Sequence, residues 1–191
     1  MPSSPRVKRE DILATAFDVL IREGYAAVNI KTVAQRLGCS TQPISWQFDG
    51  MDGLRHALFE YCLAFLQDRF AVRGSTADEA VFSIVEGYLD VAFDYPHLYR
   101  HLYMSDRNRA EMAEATRIRR RECYDDVMGW ICRDYGLSVD AAREYMMDLE
   151  AYVHGVASYV AIGFVVATKE DVLARVRRMS NRLLSKEESL C

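Results

Sequence analysis

Apolar positions recur at helical spacing from near the start of the chain to near its end. Over residues 8–23, Ile12, Leu13, Ala16, Phe17, Leu20 and Ile21 fall on one face, and Gly24 stands where such a helix would stop. Asn29 is placed to cap a short helix, Ile30 to Leu37, with Val33, Ala34 and Leu37 inward. Gly38-Cys39-Ser40 reads as a tight turn. Ser40 is placed to cap a second short helix from Thr41 to Phe48, with Pro43 in its first turn and Ile44 and Phe48 facing inward. After Asp49-Gly50 the pattern predicts helices over Met51–Val72, from Thr76 to about Tyr95, from Pro96 through Met104, from Arg107 to Tyr135, from Ser138 to Ala167, and to about Ser185. Thr76 with Glu79 and Thr168 with Asp171 read as capping boxes, and Gly136 as a stop. No stretch alternates with period two. The expected fold is all-α, with eight or nine helices.

Composition supports that plan. The chain has 191 residues, 50% hydrophobic and 27% charged, with 10 Gly and 4 Pro, which suits a soluble helical protein with a real core and excludes low-complexity classes. The five cysteines, Cys39, Cys62, Cys123, Cys132 and Cys191, show no CxxC spacing, and the polar first residues carry no signal peptide, so reduced thiols in a cytoplasmic protein are expected. The apolar run Ala151–Ala167 holds His154 and Ser158 and is shorter than the roughly 20 residues of a membrane span. No membrane partner is expected, and the run reads as a core or interface helix.

Two short helices joined by a glycine turn and braced by a third make a helix-turn-helix. The second must present one polar face to a DNA groove about 12 Å wide while its other face packs. Thr41–Phe48 can do this, with Thr41, Gln42, Pro43, Ser45, Trp46 and Gln47 turned outward. Net charge is −4 overall, but residues 1–48 hold six Lys or Arg against four acids. A mildly basic head on an acidic body permits DNA contact through the head.

The run Ile12-Leu13-Ala14-Thr15-Ala16-Phe17, then Glu23-Gly24-Tyr25, then Val33 through Ser40, then Phe48 and Leu54, resembles the DNA-binding head of the TetR family of transcriptional regulators. The resemblance covers about residues 8–60. Pro96-His97-Leu98-Tyr99-Arg100 resembles a phrase in some branches of that family. It implies a three-helix head over 1–50, with the motif at about 30–48, and a helical ligand-binding and dimerisation domain over 51–191, with 51–72 as connecting helix. By position it implies DNA contacts from Lys31, Thr41, Gln42, Pro43, Ser45, Trp46 and Gln47. Ser45 stands where a phosphate-contacting Tyr is usual, Gln47 where His or Tyr is common, and Met51 where a Lys usually contacts phosphate. Chemistry adds detail. Gln42 or Gln47 can pair with an adenine edge, Thr41 and Pro43 can meet a thymine methyl, and Lys31, Arg6, Lys8 and Arg9 can neutralise phosphates.

The resemblance further implies a homodimer on palindromic operator DNA, formed through the last two helices by Tyr145, Leu149, Tyr152, Val153, Val156, Val160, Phe164, Val172, Val176, Met179 and Leu183. It implies an unidentified small-molecule effector in the middle of the body, where the aromatic and polar side chains Tyr88, His101, Tyr103, Trp130, Tyr152 and His154 are the candidates. His97 and His101 lie four apart without a zinc-binding pattern, so no metal and no other cofactor is expected. Arg117 and Arg119–Arg121 read as a salt-bridged helix face. No nucleophile, phosphate-loop or dinucleotide motif is present, so an enzyme is not expected. The expected function is a ligand-responsive transcriptional repressor. The rival is a helical protein-interaction module that has lost DNA binding.

Overall fold

A computed structural model of the chain describes residues 7–67 and 69–187, the side chains at 107, 109, 111, 116–124, 186 and 187 excepted. Among the described residues every regular element is helical. The α-helices are α1 (Arg9–Glu23), α2 (Ile30–Leu37), α3 (Gln42–Phe48), α4 (Gly50–Gln67), α5 (Ala77–Asp94), α6 (Pro96–Tyr103), α7 (Arg109–Tyr135), α8 (Val139–Ala161) and α9 (Lys169–Glu187), with 3-10 turns at Tyr25–Ala27 and Asp106–Asn108. None of them is long and apolar enough to cross a membrane.

The chain forms two compact units, Met1–Asp68 and Arg69–Cys191. Where the sequence reading cut the chain at residue 50, the packing places the whole of α4 with the head. The reason lies in its apolar stripe: Leu54, Leu58, Phe59 and Cys62 are buried, and α4 packs on α1 and α3. Ile12, Ala16, Val19 and Leu20 of α1, Val33 and Ala34 of α2, and Ile44 and Phe48 of α3 complete this small core. Burying one such side chain contributes about 1.5–3 kcal/mol, so a core of this size leaves little reserve. Burial also pushes the Cys62 thiol up to about 12, which makes it an inert packing group.

In the second unit α5 is the hub and meets α6, α7, α8 and α9. Its buried residues, among them Ala80, Val81, Val85, Leu89 and Ala92, span most of its circumference.

Most expected boundaries hold to within two residues, and the informative differences are at α4, α8 and α3. Helix α4 ends at Gln67 rather than Val72. Helix α8 ends at Ala161 rather than Ala167, because Gly163 takes φ 73° and builds a Schellman stop. The Phe164 amide bonds the Tyr159 carbonyl at 2.9 Å and the Gly163 amide bonds that of Val160 at 2.9 Å. The Phe164 and Tyr159 rings meet at 5.1 Å, the apolar contact that accompanies this motif. Helix α3 begins at Gln42, and its cap position is Thr41, with no side-chain cap bond, so Ser40 does not cap it. The Thr76 hydroxyl accepts from the Glu79 amide at 3.3 Å, and the Glu79 carboxylate accepts from the Ser75 amide at 3.0 Å and is held below its ordinary range by Ser75 and Thr76 together. Thr168 and Asp171 do close on each other, through amide and carboxylate at 3.1 and 3.0 Å.

Candidate nucleic-acid interface

Local chemistry sets the head's geometry. The Asn29 carboxamide oxygen accepts the Thr32 amide at 2.9 Å, while its nitrogen donates to the Ala27 carbonyl at 3.1 Å, which fixes both the start of α2 and the approach to it. At the other end Gly38 adopts φ 66°, and the Cys39 and Gly38 amides bond the Ala34 and Gln35 carbonyls at 3.0 and 3.3 Å. A side chain at that φ would be strained, so glycine makes the turn between α2 and α3. Arg36 pairs with Glu23, bracing α2 on α1 at the surface. Ile44 is wholly buried and Phe48 nearly so, one turn apart, and they hold α3 by one face.

The opposite face is open. Thr41 and Gln42 are exposed, Pro43 and Ser45 are half-buried, and Trp46 is 78% exposed. Lys31 is exposed in the first turn of α2, and Met51 is half-buried at the start of α4. The Trp46 indole, with its ring N–H donor, is thus presented to solvent on the same face as Gln42 and Ser45 rather than used in the core.

Two side chains expected to face DNA are engaged elsewhere. The Gln47 carboxamide is half-buried and donates to the Val7 carbonyl at 2.9 Å. The Arg9 guanidinium donates to the Gln47 carbonyl at 2.7 Å and lies 4.0 Å over the Phe48 ring. Arg9 thereby satisfies an orphan carbonyl at the C-terminal end of α3, where the helix dipole favours a cation. Each of the two side chains thus already holds a backbone carbonyl of the head. Arg6 lies outside the described residues.

The body's candidates separate into groups. The Tyr88 hydroxyl and His154 Nδ1 are bonded at 2.6 Å. The Tyr99 hydroxyl lies 3.1 Å from the same Nδ1 and 3.3 Å from the Tyr88 and Ser158 hydroxyl oxygens. The Tyr103 ring packs on Tyr88 and Tyr99 at 4.9 and 5.0 Å. Burial, with the neighbouring phenols, pushes the Tyr88 hydroxyl well above its ordinary range, and burial raises that of Tyr99, so both remain neutral.

His101 is not among them. It lies on another face of α6, buried beside Asn108, whose amide donates to the His101 carbonyl at 2.9 Å. That burial lowers its pKa to about 4. His97 Nδ1 takes a bond from Arg100 at 2.8 Å. Trp130 and Tyr152 are half-buried, on α7 and α8. The arginines at 117 and 119–121 have side chains outside the described set.

Of the expected dimer residues, Tyr145, Leu149, Val153, Val172 and Val176 are buried within the chain itself. They hold α8 on α9, with the Tyr145 and Ser180 hydroxyls 2.8 Å apart, so within the chain they are core rather than open surface. Tyr152, Val156, Val160, Met179 and Leu183 are half-buried and Phe164 is exposed. The apolar run read as one surface predicts a single interface, whereas a helix this apolar spreads its side chains over several faces. Tyr99 and Ser158 join the buried cluster without having been among the expected site residues. The four-residue spacings Tyr99–Tyr103 and His154–Ser158 were the available signal.

Residues 12–58 match the family described as bacterial regulatory proteins, tetR family. No curated protein matches the chain. Among solved structures, the chain is similar to a Rhodococcus sp. protein assigned to the TetR-family transcriptional regulators, at 16% identity and a TM-score of 0.67 over 95% of this chain and 100% of that one.

Proposed function

We propose that the chain is a DNA-binding regulator of the TetR type, as the match of residues 12–58 supports, and that it acts in the cytoplasm as a homodimeric repressor that leaves a palindromic operator when a small molecule occupies its body. The observation that carries the DNA part is α3. Ile44 and Phe48 hold it from behind, and Thr41 and Gln42 stand free on its outer face beside the exposed Trp46. Gln42 then pairs with an adenine edge, Thr41 and Pro43 meet thymine methyls, and Ser45, Trp46 and Lys31 reach phosphates. Two copies double the reading, and a two-fold axis makes the operator palindromic.

The exposed apolar side chains at the end of α8 and beyond, Tyr159, Ile162 and Phe164, together with half-buried Val156 and Val160, support pairing through this region. The Tyr88–Tyr103–His154 cluster, with Trp130 and Tyr152 as further candidates, supports an aromatic effector carrying a hydrogen-bonding group. The reading assigns the protein no catalysis. A gel shift on duplex DNA from upstream of its own gene tests it. A salt-sensitive shift that Gln42→Ala weakens by about tenfold or more is expected. No shift at low salt would leave the protein-interaction module as the better account.

A further inference from the structure

The bonds around Gln47 tie the start of α1 to the end of α3 in both directions. The Gln47 side chain holds the backbone of residue 7, at 2.9 Å. Residue 9 in turn holds the backbone of Gln47, at 2.7 Å, and covers the Phe48 ring at 4.0 Å. Such a reciprocal pair fixes the relative position of two segments better than either bond alone, because each removes the freedom that would let the other break. Lys8 lies between the two anchors. Its side chain is exposed and makes no ion pair among the described residues. The charge of Arg9 is already engaged at the end of α3, so Lys8 is the cation this clasp leaves available.

We infer that Gln47 is a positioning residue: it clasps the chain at Val7 and so holds Lys8 beside the recognition helix as a fixed phosphate contact, while base reading falls to Thr41 and Gln42. The inference rests on the DNA-binding reading above and assigns Gln47 a different task within it. A base reader and a clasp predict different losses. Removing a reader relaxes preference at one base pair in each half-site. Removing a clasp that serves a phosphate contact weakens binding to every sequence alike and lowers its salt dependence.

The test uses Gln47→Met, which keeps the side chain's length and packing but removes the donor, and Lys8→Gln. Wild type and both variants select from a duplex DNA library with a randomised core, and affinity for the winning duplex is measured across salt concentrations. The same motif should emerge from all three proteins. Gln47→Met and Lys8→Gln should each lower the slope of log K against log salt by about 0.9 per bound protomer, roughly a tenfold loss near 0.1 M. The double variant should lose little more than either single one, since one contact is removed twice.

A Gln47→Met motif that loses its preference at one base pair would overturn the inference in favour of direct reading. So would an unchanged slope and affinity. Without DNA, trypsin should cut after Lys8 faster in Gln47→Met than in wild type at equal thermal stability, and equal rates would show that no clasp exists. A wild type that enriches no sequence would bring down the DNA-binding reading itself, an outcome the cleavage rates keep separate from failure of the clasp.

Discussion

The head and the body use polar side chains in opposite ways. In the head the apolar residues form a thin core, and the side chains proposed to touch DNA lie outside it, with Thr41, Gln42 and Trp46 in solvent. In the body the comparable polar groups, Tyr88, Tyr99, His154 and Ser158, are turned inward and satisfied by one another. A surface that reads a groove needs rigid support and free donors. A cluster of buried polar groups must be internally complete or it is destabilising. The head should therefore fail through its support, and the body through its polar interior.

The sharpest way to break this contrast is Ile44→Ala. Ile44 is fully buried and is one of the two side chains clamping α3. The cavity should cost about 2–5 kcal/mol, read as a fall in urea midpoint at unchanged m-value, with operator binding lost as α3 loosens. Gln42→Ala, on the exposed face of the same helix, should leave the midpoint within about 0.5 kcal/mol. Equal destabilisation by both would mean the outer face is itself structural.

The next effect belongs to the body and depends on pH. His101 is held neutral by burial, with a folded-state pKa near 4 against 6.5 for a free imidazole. Between those values the unfolded chain binds a proton that the folded chain refuses. The stability this group contributes is full above pH 6.5 and falls as pH drops towards 4, by up to roughly 3 kcal/mol. His101→Gln should remove that part of the acid sensitivity, seen as a smaller drop in urea midpoint between pH 7 and pH 4.5 than in wild type. Identical drops would show that Asn108 and its neighbours let the imidazolium stay.

Tyr99→Phe is the smaller test of the same interior. It removes a hydroxyl that lies within bonding distance of the Tyr88 and Ser158 hydroxyls and of His154, while keeping the ring contacts. The expected cost is about 1–3 kcal/mol, because the partners stay buried after the hydroxyl is gone. A neutral outcome would mean that water enters the cluster, and the comparison with the head would weaken.

The contrast also explains what could be read from the sequence. The head's helices, the Asn29 cap, the Gly38 stop and the inward pair are legible because each follows from neighbours in the chain, whereas the cap expected at Ser40 is not made. Asn29 caps three residues on, Gly38 needs its own φ, and Ile44 and Phe48 are one turn apart. The clasp at Gln47 was not legible, because it joins residues 38 and 40 positions apart. The body failed in the same way. Periodicity found α8 but could not say which of its apolar faces α5 and α9 would cover, so Leu149 and Val153 were assigned to a partner rather than to the chain's own core. Tyr99 joins α8 through contacts 55 and 59 residues away, and the four-residue spacings Tyr99–Tyr103 and His154–Ser158 mark each helix face without saying that the two faces meet.

The finest test sets one chemistry in both regions. Asn29 caps α2 of the head through the Thr32 amide, and Thr76 caps α5 of the body through the Glu79 amide. Each truncation to Ala exposes a similar orphan donor, so each should cost about 1 kcal/mol by urea denaturation. Thr76→Ala should fall at the low end, since its bond is longer, 3.3 Å against 2.9 Å, and Glu79 still holds the Ser75 amide. The consequences should then diverge. The first turn of α2 carries Lys31, so fraying it blurs a proposed phosphate contact, and Asn29→Ala should weaken operator binding several-fold beyond its effect on stability. Thr76→Ala, with the same lost bond, should leave operator affinity unchanged. If the two variants weakened binding equally, the cap would act through global stability alone, and the head's rigid support would have no separate part in reading DNA.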